Sequence, residues 1–170
     1  VGFLGRGNMK INNNVDLKKI KLIISDFDGV LTDNRVLVDE NGKEAVFVNR
    51  SDGLAVGMLR KLGIEFMILS TEKNPVVTAR ARKLKVECVQ GCDNKQTAIK
   101  DIIASKNLSK DEVMYIGNDI NDYEAMKVAG IKVTPNDAYP EVKNIADIVT
   151  EARGGMGVIR EIAGEMSGGE

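Results

Sequence analysis

The chain has 170 residues, with 24 Lys and Arg against 25 Asp and Glu, two cysteines and no histidine. That length predicts one compact domain with a substantial core, and the even charge argues against nucleic acid or an anionic membrane as partner. The missing histidine removes Ser-His-Asp hydrolysis, His-ligated metal catalysis, phosphohistidine chemistry and zinc deamination. Any reaction must therefore run on carboxylates, lysine, hydroxyls and an oxygen-liking metal. No apolar run reaches membrane-span length and no signal-peptide pattern is seen, which predicts a cytoplasmic protein. Cys88 and Cys92 are too few for a disulfide framework, and C-x-x-x-C without histidine is a poor zinc site, so both read as buried thiols.

Residues 1–19 are Gly- and Asn-rich without periodicity. They read as a mostly flexible N-terminal extension, with Met9 a candidate native start. "GFLGRG" has the look of a phosphate loop, but no strand precedes it and no helix follows. From Ile20 to the end, apolar strand-like runs alternate with amphipathic segments and predict a single domain. "KLIISD" reads as a buried strand. "RVLVDENGKEAVFVN" is a hairpin turning at Asn41-Gly42. "SDGLAVGMLRKLG" is a helix capped near Ser51 or Asp52 and stopped by Gly63. "IEFMILS" is the second core strand. Asn74-Pro75 opens a helix to about Lys85, followed by the short strand "VECVQG" and the helix "NKQTAIKDIIASKN". Ser109 and Glu112 form a capping box ahead of the third core strand, "VMYIG". "INDYEAMKVAG" reads as a helix ending at Gly130, "IKVT" and "ADIVT" as strands, and Gly157 to about Met166 as the last helix. Strands separated by helices imply parallel crossovers, hence an α/β three-layer sandwich around a central parallel sheet.

In such a sheet ligands gather at the carboxyl ends of the central strands, and each core strand here ends in polar residues. The first ends at Asp26 and Asp28, the second at Ser70 and Thr71, the third at Asn118 and Asp119, with Asp122 just beyond. Lys95 opens the helix between the second and third. Singly, each could be a cap or a surface charge; in this order they suit phosphoryl transfer. A carboxylate can attack phosphorus, and a hard cation held by oxygens can neutralise the meeting of two anions. Lysine and hydroxyl can hold the non-reacting oxygens. A second carboxylate, its pKa raised by neighbouring negative charge, can protonate the leaving alcohol. Asp26 and Asp28 are two apart, which on a strand points both the same way; their repulsion is expected to keep Asp28 protonated. Asp33 reads as the start of the turn into the hairpin.

"DFDGVLTD", "ILST", Lys95 and "GNDIND" together resemble the four motifs of the haloacid dehalogenase-like phosphohydrolases, over most of the chain. That resemblance implies Asp26 as nucleophile and Asp28 as general acid and base. It implies Mg²⁺ held by Asp26, the Asp28 backbone carbonyl and Asp119, and a phosphoryl group bound by Ser70, Thr71 and Lys95. Thr32 would support the first loop, Asp122 would orient Lys95 or water at the metal, and Asn118 stands where many relatives carry an acid. The gaps after the first and second motifs leave no room for a cap domain, so neighbouring subunits are the expected cover.

"GVLTD" with its hairpin, "RSDGLAVGML" and "ARGGMGVIRE" resemble a narrower family, the tetrameric capless phosphatases of 8- and 9-carbon sugar-acid phosphates. It implies a homotetramer with intersubunit active sites. Arg153 would reach a sugar carboxylate or phosphate; otherwise Arg153-Gly154-Gly155 is a flexible connector. "STEKNPVVTARARKLKVECVQG" is similar to the sialic-acid-like branch, with Thr71-Glu72 where octulosonate enzymes more often carry a Gly-Arg pair, and this makes Glu72, Arg80 and Lys83 candidates for substrate contact. A nonulosonate 9-phosphate is then the expected substrate. The alternatives are 3-deoxy-D-manno-octulosonate 8-phosphate, or a non-catalytic module that tetramerises a CMP-acylneuraminate synthetase.

Overall fold

The computed structural model describes residues 9–168, so "GFLGRG" lies outside the described residues. Among the described residues nine strands run in chain order: β1 (Lys10–Ile11), β2 (Leu22–Ser25), β3 (Leu37–Val38), β4 (Glu44–Ala45), β5 (Glu65–Leu69), β6 (Glu87–Val89), β7 (Val113–Ile116), β8 (Ile131–Thr134) and β9 (Ile148–Val149). Six helices accompany them: α1 (Arg50–Lys61), α2 (Val76–Leu84), α3 (Lys95–Ser105), α4 (Tyr123–Met126), α5 (Pro140–Lys143) and α6 (Val158–Met166). Seven strands form one sheet in the order β1-β9-β8-β7-β2-β5-β6. All of its pairings are parallel except that of β1 with β9.

The central strands are apolar on both faces because both faces are covered. Ile23, Phe66, Ile68, Met114 and Ile116 pack with residues of α1, α2 and α6. Leu22, Ile24, Met67, Leu69 and Tyr115 pack with Ile99 of α3, Met126 of α4 and Val142 of α5. This is the expected three-layer α/β architecture without a cap. The chain leaves β2 outward through β5 and β6, then returns through α3 to β7 on the other side of β2. The order reverses between β2 and β7, and such a reversal opens a crevice at the strand ends.

Three local readings shift. Lys10–Ile11, placed by sequence in the N-terminal extension, add an antiparallel strand to the sheet edge, with Met9 and Ile11 buried. α1 is capped by Asn49, whose side chain accepts the Ser51 amide (2.9 Å), rather than by Ser51 or Asp52. The helix expected over "INDYEAMKVAG" is a 3₁₀ turn, Ile120–Asp122, followed by the short α4. The Asn41-Gly42 hairpin forms as read: β3 pairs with β4, and Gly42 has φ +76°. Among the described residues no helix is long and apolar enough to cross a membrane.

Asp52, freed from capping its own helix, caps another. Fully buried, its Oδ1 accepts the Arg160 amide (3.1 Å) in the first turn of α6 and ties α1 to α6. Its Oδ2 is buried without a partner. Burial pushes its carboxyl from 3.8 up to about 6, against the lowering by the Arg160 and Ile159 amides and the Arg80 charge. A raised value means the folded state resists ionisation, so Asp52 costs stability progressively as pH rises from about 4 to 6. Asp52→Asn should therefore gain on the wild type across that window, by on the order of 3 kcal/mol between its two ends. Urea unfolding at pH 4 and pH 7 measures this, and parallel pH profiles for the two proteins would refute it.

Candidate active site

The amide of Asp26 continues the β2–β7 ladder, donating to the Ile116 carbonyl (2.9 Å). A rigid buried strand thus delivers the Asp26 carboxylate to the crevice. Oδ1 accepts the Phe27 amide at 2.7 Å, and Oδ2 meets Lys95 Nζ at 2.9 Å. Lys95 stands at the first position of α3, behind its cap Asn94. The residue is 3 % exposed, and its ammonium also reaches Asp122 Oδ1 at 2.7 Å.

Asp122 is held from three sides. Oδ1 accepts the Tyr115 hydroxyl (2.6 Å), and Oδ2 accepts the Asn118 amide (2.9 Å). Asp119 and Asp122 form a reciprocal capping box across one 3₁₀ turn, which is what "GNDIND" encodes locally. Gly117 is required beside them, since a Cβ there would lie 2.4 Å from that of Asp122. Asp119 is half-buried, its Oδ1 accepting the Ile120 amide (2.7 Å).

Burial, then the Asp122 charge, push Asp26 up to about 8 even with Lys95 beside it. Burial opposes the charge on Lys95, but Asp26 and Asp122 outweigh it and hold the ammonium above its ordinary value. Asp28 lies half-buried in the loop after β2, and its Oδ1 accepts the Thr32 hydroxyl (3.3 Å). Thr32 Oγ1 in turn accepts the amides of Gly29 (3.2 Å) and Asn34 (3.1 Å). Asp28 is raised as expected, but not by Asp26. Burial leads; the Thr32 hydrogen bond opposes it, and the repelling charges are Glu72 and Glu44. Asp33 pairs with Arg35 at 2.7 Å, outside the cluster.

Ser70 is buried at the end of β5, its Oγ accepting the Glu72 amide (3.1 Å). Thr71 is exposed. Glu72 Oε1 accepts the amides of Lys73 (2.7 Å) and Asn74 (2.8 Å), and Asn74 Nδ2 donates to Glu44 Oε2 (3.1 Å), tying this loop to the hairpin. Asn118 is buried, with its side chain over Gly29. Arg80 and Lys83 are not brought to this cluster: they line a cavity of about 810 Å³ between α1 and α2, with Arg50, Arg60 and Lys85. Arg80 donates there to the Asn49 carbonyl (2.9 Å). Arg153 is exposed, its Nε 3.5 Å from Asp137 Oδ2.

The donor set suits a hard cation. Two buried carboxyl groups face one ammonium, so Asp26 keeps a proton up to about 8 where a bound cation could stand in for it, and the Asp28 carbonyl accepts no hydrogen bond among the described residues. No cage of three His, Cys, Asp or Glu side chains occurs among the described residues. Mg²⁺ needs none, since it binds through one or two carboxylates and keeps much of its water. Sequence reasoning missed Tyr115 and Glu44. A hydroxyl-bearing ring in an otherwise aliphatic buried strand was the available signal for Tyr115, because a buried phenol seeks a partner. Nothing local marked Glu44. Lys95→Met would strand Asp26 and Asp122 without a cation. In Mg²⁺-free buffer it should lose roughly 3–5 kcal/mol in urea unfolding; a loss under ~1 kcal/mol would show that the network carries no such balance.

A family model described as haloacid dehalogenase-like hydrolase matches residues 66–162. The chain is 34% identical over 146 residues to the 3-deoxy-D-manno-octulosonate 8-phosphate phosphatase of Salmonella typhi, covering 85% of this chain and 78% of that protein. It is 32% identical to an N-acylneuraminate cytidylyltransferase of Oncorhynchus mykiss, of which the match spans 34% and of this chain 85%. Among solved structures, a haloacid dehalogenase-family protein of Streptomyces avermitilis superposes with TM-score 0.85 at 44% identity, over 87% of this chain and 85% of that one. The cobalt-bound octulosonate 8-phosphate phosphatase of Haemophilus influenzae gives 0.85 at 32% identity, over 90% of each chain. That of Moraxella catarrhalis, which holds magnesium, phosphate and KDO, gives 0.86 at 28%, over 91% and 89%. The chain belongs to the haloacid dehalogenase-like hydrolases, as a phosphatase of the 3-deoxy-D-manno-octulosonate 8-phosphate phosphatase family.

Proposed function

We propose that this phosphatase hydrolyses the phosphate ester of a long-chain sugar acid through an aspartyl-phosphate on Asp26, with Mg²⁺ as cofactor. The observation that carries this is the Asp26 carboxylate fixed at a strand end against Lys95, with Asp28 two residues on. Asp26 attacks phosphorus as the ester bond breaks, and Asp28 gives its proton to the departing alkoxide. Lys95 and Ser70 hold the non-reacting oxygens, and Asp122 with Tyr115 keeps Lys95 aimed. Asp28 then takes a proton from the water that hydrolyses the acyl phosphate. Asp26, the Asp28 carbonyl and Asp119 would hold the Mg²⁺, which would supply the charge that lets two anions meet.

For the sugar, 3-deoxy-D-manno-octulosonate 8-phosphate is the first reading, because it is the substrate named for the curated relatives and KDO is bound in a solved one. The nonulosonate 9-phosphate that the motif-two segment suggested stands second. It keeps one feature of its own: Thr71-Glu72 follow Ser70, and the Glu72 charge is felt at Asp28. The non-catalytic module is disfavoured by the intact Asp26–Lys95–Asp122 network. A phosphate-release panel with Mg²⁺, spanning both sugar-acid phosphates and simple hexose phosphates, ranks these readings. Asp26→Asn should fold as the wild type does and release no phosphate; undiminished turnover would remove the nucleophile.

The proposal includes a homotetramer whose neighbours complete each open site. The hairpin exposes Leu37 (69 %) and Phe47 (76 %), and Leu54 of α1 is 70 % exposed beside them in sequence. Large apolar side chains exposed in this way are what a neighbouring subunit would cover. Arg80 and Lys83, remote from their own Lys95, are then cations offered to a neighbour's sugar acid. Phe47→Asp should shift the light-scattering mass below that of a tetramer at micromolar concentration and lower turnover with it. A wild type that is monomeric, or a monomeric variant at full activity, would refute the shared site.

A further inference from the structure

The segment Arg153–Gly155 is neither a loose connector nor directed wholly outward: its two glycines lie against the loop that carries Asp28. A Cβ on Gly154 would sit 2.1 Å from the Gly29 carbonyl oxygen and 3.0 Å from that of Thr32. Gly155 donates its amide to the Val30 carbonyl (2.9 Å). It has φ +72°, and a Cβ there would come within 2.5 Å of the Asp33 nitrogen. On the opposite side Gly29 is closed off by Asn118, whose Nδ2 would lie 2.0 Å from a Cβ at position 29. The glycine segment is itself anchored. Asp137 Oδ1 accepts the Gly154 amide (2.8 Å), and Asn49 Nδ2 donates to the Gly155 carbonyl (3.3 Å). Three residues beyond Gly157, Asp52 holds the Arg160 amide.

We infer that Gly154 and Gly155 are positioning residues, pressing the Phe27–Thr32 loop against Asn118 and thereby setting where Asp28 stands relative to the leaving-group oxygen. The inference rests on the reading of Asp28 as general acid. The loop's internal bonds, three amides converging on the Phe27 carbonyl and Thr32 on Asp28, give it a shape. They do not fix its distance from the strand-borne Asp26, whereas packing of the loop against glycine backbone on one side and the Asn118 side chain on another does. A methyl group at Gly154 must move the Gly29 carbonyl by on the order of 1 Å, and a displacement of that size is costly in catalysis.

The consequence depends on the leaving group. As the Asp26 oxygen bonds to phosphorus, the ester oxygen departs with the electron pair of the broken P–O bond. An alkoxide needs the proton of Asp28 at that moment, whereas p-nitrophenolate does not. With Mg²⁺ saturating, Gly154→Ala should lower kcat/KM roughly 100-fold for the best sugar phosphate of the panel and less than ~3-fold for p-nitrophenyl phosphate. Asp28→Asn should show the same preference more strongly. If Asp28→Asn discriminates and folded Gly154→Ala does not, the positioning role is overturned while the acid stands. If Asp28→Asn itself loses equally on both esters, the acid assignment fails and the inference falls with it. Should Gly154→Ala not fold, Asp137→Ala decides: it removes the acceptor of the Gly154 amide from an exposed position. Asp137 also pairs with Arg153, so the split decides: a loss of kcat on the sugar phosphate with KM unchanged upholds the role, and a loss in KM alone, an even loss on both esters, or none overturns it.

Discussion

Two buried carboxylates, Asp26 and Asp122, share the single ammonium of Lys95, and the rest of the site is arranged around that imbalance. Buried charges are tolerated only when paired and hydrogen-bonded. Every element at the crevice supplies part of that pairing. β2 fixes Asp26, α3 begins at the lysine, β7 sends in the Tyr115 hydroxyl, and the 3₁₀ turn after it brings Asp122 with two backbone amides. The second acid, Asp26, is left to a proton up to about 8 or to a cation, and it lies where the proposed hard cation and phosphoryl group would have to meet. Stability and chemistry pull in opposite directions here: a fully neutralised cluster would hold the fold better and attract no metal.

The two acids of "DFD" are separated by environment rather than by mutual repulsion. Asp26 ends a strand with no freedom to move, and Lys95 and the Phe27 amide occupy its oxygens. Asp28 sits in a loop, half-buried, with one hydroxyl donor and two acids behind it. On the proposed mechanism, one carboxylate is thereby placed to attack and the other to carry a proton. That division of labour comes from the hairpin and the motif-two loop as much as from the motif itself, since they deliver Glu44 and Glu72.

The layers, the parallel sheet and the Asp26, Ser70, Lys95, Asp119 and Asp122 positions were legible because each is local. An apolar run makes a strand, and the polar residue at its end needs no tertiary information to be placed in the crevice. What escaped was set by contacts between distant segments. Asn49, not Ser51 or Asp52, caps α1, because Asp52 is engaged 108 residues away at α6. Lys10–Ile11 form a strand only because β9 offers an edge and the core accepts Ile11. Arg80 and Lys83 share a helix with nothing to indicate which groove they face. The sugar preference was legible least of all: a run of charged residues reports that an anion is welcome but carries no shape.

The hairpin joins the two halves of the functional reading. Its outer face is apolar and exposed, while its inner edge places Glu44 against Asn74 and within electrostatic reach of Asp28. An isolated two-stranded hairpin is marginal in water. This one is held mainly by the Asp39 turn bonds, the Thr32–Val48 bridge and the Asn74 contact. Burying Phe47 and Leu37 between subunits would stabilise the same conformation that sets the charge around the general acid. On the proposed assembly, subunit contact and the charge around Asp28 would then be linked through a single element. Glu44 alone contributes too little to hold the hairpin, but burial of its apolar face can hold Glu44.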